Sequence, residues 1–187
     1  ILVRPDIPAA DLAAMRPKGI VLSGSPYSVY EPGAPTIDPA ILDLGVPLLT
    51  ICYGMQLVCQ LLGGSVRPGE HREFGRASME ITDRSDLFTA LPQRTSVWMS
   101  HGDQVTSLTA DPAAPFQTIA STPTCPHAAV RLVTPTRRIY GVQFHPEVTH
   151  TPHGTDILRN FVHEVCRCRG DWRMADFAAA ESERIRA

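Results

Sequence analysis

The run Val46-Pro47-Leu48-Leu49-Thr50-Ile51 is apolar and passes without a linker into Cys52-Tyr53-Gly54. Such a run reads as a buried strand. Met55, Val58, Cys59 and Leu62 then fall at helical spacing, and Gly63-Gly64 stops the helix. A strand that becomes a helix this quickly has to turn sharply, and the turn carries Cys52. That single junction commits the chain to an α/β arrangement.

The rest of the chain is consistent with it. Gly19-Ile20-Val21-Leu22-Ser23 is a second buried strand, opening into the turn formers Gly24-Ser25-Pro26. Ser78 to Ile81, Ser96 to Met99, Gln117 to Ala120 and Ala128 to Leu132 are short apolar stretches bounded by Pro, Asp or Gly. Ile139-Tyr140-Gly141-Val142-Gln143-Phe144 is a final strand that delivers His145 at its end. Ile157, Leu158, Phe161, Val162 and Val165 mark an amphipathic helix. The expected fold is α/β, an open mixed, mostly parallel sheet flanked by helices. There is no internal repeat.

With 187 residues, 43% of them hydrophobic, the chain can bury one sizeable core. A net charge of -2 gives no basic field for phosphates, so a nucleic-acid binder is not expected, and a small neutral or zwitterionic ligand is. No apolar run approaches the roughly 18 to 20 residues of a membrane span, and the start lacks the marks of a secretory leader. The five cysteines are odd in number and irregularly spaced, which predicts a reduced, cytoplasmic protein without disulfides. Cys166-Arg167-Cys168 lacks the second pair that a zinc site needs, so no metal is expected.

Two positions carry chemistry. A thiol acts as its thiolate, and the free N–H groups at a helix start favour that anion, which makes Cys52 a candidate nucleophile. The turn resembles the elbow of hydrolases, in which the next residue's N–H, here that of Tyr53, faces a developing oxyanion. A nucleophile needs a base and the base an orienting group. His145-Pro146-Glu147, at the end of the last strand, supplies both. A buried inert thiol is the usual fate of a free cysteine, and Cys59, Cys125, Cys166 and Cys168 are assigned to it. His71, His127, His153 and His163 are read as ordinary solvated or locally bonded residues.

Ile51-Cys52-Tyr53-Gly54-Met55-Gln56 together with Gly141-Val142-Gln143-Phe144-His145-Pro146-Glu147 resembles the class I glutamine amidotransferases, a flavodoxin-like fold with a Cys-His-Glu triad. Leu22-Ser23-Gly24-Ser25-Pro26 with Val29-Tyr30, Arg72-Glu73-Phe74-Gly75, Trp98-Met99-Ser100-His101-Gly102-Asp103 and Glu147-Val148-Thr149-His150-Thr151 are similar to the GMP synthase branch. The resemblance implies that Cys52 attacks glutamine, that His145 relays the proton, and that Glu147 holds His145. Backbone N–H groups of Tyr53 and Ser25 match the family's oxyanion hole. Gly24, Gln56, Ser100, His101, Gly102 and Asp103 match its glutamine-binding positions. It also implies a synthetase domain, in the same or a separate chain, that takes the ammonia and converts XMP to GMP with ATP and Mg2+. A homodimer through that domain is a further expectation, and no cofactor is expected in the glutaminase domain itself.

The chain departs from the pattern in four ways. Ser25 and Thr50 stand where the family usually has glycine, which puts a Cβ beside the reacting carbon at both places. The family's first strand and first helix are missing, leaving the strands at Gly19 to Leu22 and Val46 to Ile51 with open edges. The glutaminase domain is expected over residues 1–168, with 169–187 starting a linker or helix toward an absent ATP-pyrophosphatase domain. Competing readings are the glutaminase subunit of another class I amidotransferase and an impaired docking or regulatory domain.

Overall fold

The computed structural model describes residues 1–108, 116–171, 173, 177 and 182–186, with backbone alone at Glu70 and His71. The reading of His71, and residues 172, 174–176, 178–181 and 187 of the expected linker, therefore lie outside the described residues. Helix α1 (Ala9–Ala14) precedes strand β1 (Ile20–Leu22), and β2 (Leu48–Ile51) leads into α2 (Tyr53–Leu61). Strands β3 (Ser65–Ile81), β4 (Arg94–Ser107), β5 (Gln117–Ser121), β6 (Ala129–Val133) and β7 (Arg138–Val142) follow. The last described element before the tail is α3 (Gly154–Asn160), continued by a π-helical turn, Phe161–Val165.

Among the described residues the strands form one seven-stranded sheet in the order β1-β2-β7-β6-β5-β3-β4. The mixed α/β sheet is as expected, but its parallel part is confined to β1, β2 and β7. The other four pairings are antiparallel, which corrects the expectation of a mostly parallel sheet. The reason lies in the connections. Parallel neighbours need a crossover of about a dozen residues or more, usually a helix, whereas β6 returns to β7 through residues 134–137 alone. The strands at Ser78 to Ile81 and Ser96 to Met99 prove to be one end of a long twisted ribbon of β3 and β4. Its register slips between Pro68 and Glu73, and that slip interrupts the period-two pattern. β2 is paired on both sides, so the open edge expected for it is not there; β1 pairs on one side only.

Neighbouring residues of β2 belong to opposite faces, Leu49 and Ile51 packing with Phe144, Ile157 and Phe161, and Leu48 packing with Met55, Val58 and Leu12. The sheet is thus buried on both sides, with α3 over one face and α1 and α2 over the other. α1, which has no strong sequence signal, is held by Asp38, whose carboxylate accepts the Ala9 N–H at 2.8 Å.

Candidate active site

Cys52 is the residue before α2, and its backbone has φ +51° and ψ -107°, a conformation rare for any residue with a Cβ. Its N–H bonds to Val142 O at 2.8 Å, and its carbonyl accepts the first helical bond, from Gln56 N at 3.2 Å. Pinned at both ends, the chain has no relaxed way from β2 to α2, and the strain falls on the residue whose sulfur it aims outward. Gly54 makes this turn possible, because a Cβ there would lie 2.6 Å from Leu22 O.

β7 runs beside β2 in parallel register, with Ile51 opposite Val142. The two strands therefore end together, and His145 arrives next to Cys52. A point one Cβ above Gly24 is 3.4 Å from His145 Cε1 and 3.7 Å from Cys52 Cβ, so both side chains border the space over this glycine. His145 Nδ1 is 2.7 Å from Glu147 Oε1. With Nδ1–H donated to that carboxylate, Nε2 is the nitrogen left to take a proton. The His145 backbone is fixed by Thr151, whose hydroxyl donates to His145 O at 2.7 Å and accepts Trp98 N–H at 3.1 Å.

Burial pushes the Cys52 thiol up to about 11. The Tyr53 N–H opposes this, the Glu147 carboxylate adds to it, the Gln143 amide opposes it, and Asp103 adds to it. The helix start favours the anion through the Tyr53 N–H, but desolvation outweighs it, so the sulfur needs the base expected for it.

A cleft of about 570 Å³ opens on Cys52, walled by Ser25, Gln56, Ser100, His101, Gly102 and Asp103, with Tyr27, Tyr30 and Phe74 exposed near its mouth. The expected glutamine-binding positions other than Gly24 thus share one cleft with Cys52, and Gly24 lies beside Cys52 and His145. Ser25 is not in the left-handed region, and its hydroxyl accepts Tyr27 N–H at 3.3 Å, turned back into its own loop. Thr50, expected beside the reacting carbon, is instead 1% exposed in the sheet, opposite Gly141, and donates to Tyr140 O at 3.2 Å. Alternation along β2 puts it on the α2 side with Leu48, whereas Cys52 leaves the strand at the elbow and packs with Leu49 and Ile51. Gln56 donates to Asp103 O at 2.9 Å and to Gln143 Oε1 at 3.2 Å, so only its carbonyl remains for a ligand.

Four contributors were not singled out from the sequence. Gln143 Nε2 is 3.6 Å from Cys52 Sγ. Ser28 and Tyr30 donate their hydroxyls to the Asp103 carboxylate at 2.5 and 2.8 Å, tying the loop after β1 across the cleft. Glu73 faces His101, Oε2 to Nε2 at 3.8 Å; among the described residues both Glu73 oxygens and that nitrogen are buried without a hydrogen bond. Burial lowers the His101 pKa, with Glu73 and the Asp103 carbonyl opposing. His101 Nδ1 is 3.0 Å from Asp103 O. Gln143 stands two residues before His145, both just past the end of β7, a closeness in sequence that could have flagged it; the others are contacts between distant segments.

Among the described residues no three His, Cys, Asp or Glu side chains gather as a metal site, and no helix is long and apolar enough to cross a membrane.

The family of class-I glutamine amidotransferases matches residues 1–165. The GMP synthase [glutamine-hydrolyzing] of Macrococcus caseolyticus is 50% identical over 181 residues, covering 97% of this chain and 34% of that protein. That of Syntrophomonas wolfei is 47% identical over 176 residues, 94% and 33% of the two chains. The chain therefore spans about a third of the length of these curated relatives. Among solved structures, a putative GMP synthase subunit from Thermoplasma acidophilum superposes with a TM-score of 0.72 at 30% identity, covering 97% of this chain and 84% of that one. A glutamine amidotransferase from Thermotoga maritima, 21% identical, shares the fold with a TM-score of 0.65 over 81% of this chain and 79% of that one. With the family matched over residues 1–165 and relatives about 50% identical over nearly its whole length, the chain belongs to the class-I glutamine amidotransferases.

Proposed function

We propose that the chain hydrolyses the side-chain amide of glutamine to glutamate and ammonia, with Cys52, His145 and Glu147 as its catalytic triad. The observation that carries this is that Cys52 and His145 border the same space over Gly24, with Glu147 Oε1 2.7 Å from His145 Nδ1. Cys52 gives its proton to His145 Nε2 as Sγ attacks the amide carbon, and the N–H groups of Tyr53 and Ser25 face the oxygen that becomes negative. His145 passes the proton to the amide nitrogen, the C–N bond breaks and ammonia leaves. Water, deprotonated by His145, then attacks the γ-glutamyl thioester; the C–S bond breaks and the thiol is restored. Glu147 keeps the imidazole in the required tautomer and steadies its charged form. Asp103 and the Gln56 carbonyl offer the acceptors that an α-ammonium group needs, beside Ser100, His101 and Gly102.

The names of the relatives support a specific destination for the ammonia. Residues 1–168 act as the glutaminase domain of a GMP synthase in the cytoplasm, and 169–187 lead toward a synthetase domain that aminates XMP with ATP and Mg2+. Any homodimer forms through that domain. The test is ammonia release from glutamine: Cys52→Ala abolishes it, and the same substitution beside an intact synthetase domain still allows GMP formation from free ammonia. Glutamine hydrolysis surviving in Cys52→Ala would refute the reading.

A further inference from the structure

The two buried glutamines beside Cys52 form a relay whose direction is set by its far end. Asp103 O can only accept, so Gln56 must turn its Nε2 toward it, at 2.9 Å. The same Nε2 reaches Gln143 Oε1 at 3.2 Å, which leaves Gln143 presenting its own Nε2 to Cys52 Sγ at 3.6 Å. Gln56 is 3% and Gln143 0% exposed, so neither amide exchanges these partners for water. The Gln143 backbone is fixed in turn, its N–H bonded to Ala128 O at 2.9 Å.

We infer that Gln143 is a catalytic residue, its amide N–H holding the negative sulfur of Cys52 as the thiol proton leaves for His145. Gln56 is the positioning residue that keeps this amide from flipping its oxygen onto the sulfur. The inference rests on Cys52 being the nucleophile of the reading above. Its force comes from what surrounds the thiol. Glu147, beyond β7, and Asp103, on β4, both bring negative charge; His101, also on β4, is turned to Glu73; and His145 is the proton acceptor. Against burial and two carboxylates, the hydrogen-bond donors toward the sulfur are the Tyr53 N–H and Gln143. In a site this dry, a donor held in place acts more strongly than one shared with water.

Gln143→Glu keeps the size of the side chain and an acceptor for Gln56, but replaces the N–H at the sulfur by an oxygen. The experiment is alkylation by iodoacetamide from pH 7 to 11.5, with the Cys52 peptide followed by mass spectrometry. In Gln143→Glu the Cys52 profile moves up by about one pH unit or more, a roughly tenfold loss of thiolate, and so of alkylation rate, at pH 8. Gln56→Met, which leaves the Gln143 amide unoriented, shifts the profile in the same direction by less. If Gln143→Glu melts too low to assay, Gln143→Met, without a donor but of similar volume, carries the same expectation. A wild-type profile in a folded Gln143 variant overturns the inference. Wild-type protein that releases no ammonia from glutamine overturns the functional reading instead, and the alkylation profiles still decide what Gln143 does.

Discussion

Gly154→Ala is a steric probe of how closely the His145-Pro146-Glu147 turn is held. Gly154 opens α3, and a Cβ there would lie 1.9 Å from Pro146 O and 2.8 Å from Pro146 C. Ordinary contact begins at 3.4 Å, so about 1.5 Å of relief has to be found between α3 and the His145-Pro146-Glu147 turn. The clashing atoms are backbone on both sides, and no rotamer change relieves them. The helix is tied by Gly154 N–H to Thr151 O at 2.9 Å, and Thr151 is tied to His145 O, so the displacement is passed to the imidazole. Overpacking of this kind costs about 1–3 kcal/mol, or roughly 2–12 °C in Tm for a domain of this size. A misplacement of about 1 Å in a reacting group costs about a hundredfold in rate. Ammonia release and a thermal melt measure both effects. Gly33→Ala is the control, since Gly33 has φ +79° and no atom within 4 Å of its would-be Cβ. It should lose stability through backbone strain while keeping kcat. The reasoning is refuted if Gly154→Ala keeps kcat within about threefold of wild type, a loss below 1 kcal/mol on the barrier.

The other expectations come from single contacts. His145→Ala should slow glutamine hydrolysis nearly as much as Cys52→Ala, and Glu147→Ala less, because Glu147 acts through the imidazole; the reverse order in kcat would show that the roles are misread. Glu73→Gln should raise the Tm, since it removes a buried carboxylate with no hydrogen bond and lets an amide N–H donate to His101 Nε2. A clear fall in its melting temperature would mean that the charge is needed. Thr50→Gly should not speed the enzyme but destabilise it by about 2 kcal/mol, through a lost buried hydrogen bond and glycine in a strand; a faster, equally stable variant would return Thr50 to the active site.

The proposed triad was legible because each of its parts is a local pattern. Cys52 ends an apolar run and starts a helical one, and His145 ends another apolar run with Glu147 two residues on. The parallel pairing of β2 and β7 that joins them is a long-range fact, but a buried sheet with helices on both faces implies that strand ends lie on a common edge. The cleft wall was legible only as a resemblance. Its chemistry depends on Ser28 and Tyr30 reaching Asp103 from the loop after β1, and on Glu73 facing His101 across a ribbon whose register slips. Neither follows from spacing, because a slipped register changes which side chains share a face. The antiparallel majority of the sheet was missed for a similar reason: isolated apolar runs reveal strands and say nothing about their direction.

The backbone at Cys52 has a consequence for how this domain can change over generations. At φ +51° and ψ -107° the position favours glycine on conformational grounds, and a side chain there is held against a penalty on the order of 1–3 kcal/mol. On the proposed role, selection for chemistry is what keeps a cysteine in place. In a copy freed from that selection, substitution by glycine relaxes the elbow and leaves the packing of β2 and α2 intact, so decay of the activity runs downhill in folding free energy. Inactive descendants of such a domain need not be fragile. They are expected to persist as well-folded proteins, with a glycine where the sulfur stood as the trace of their ancestry.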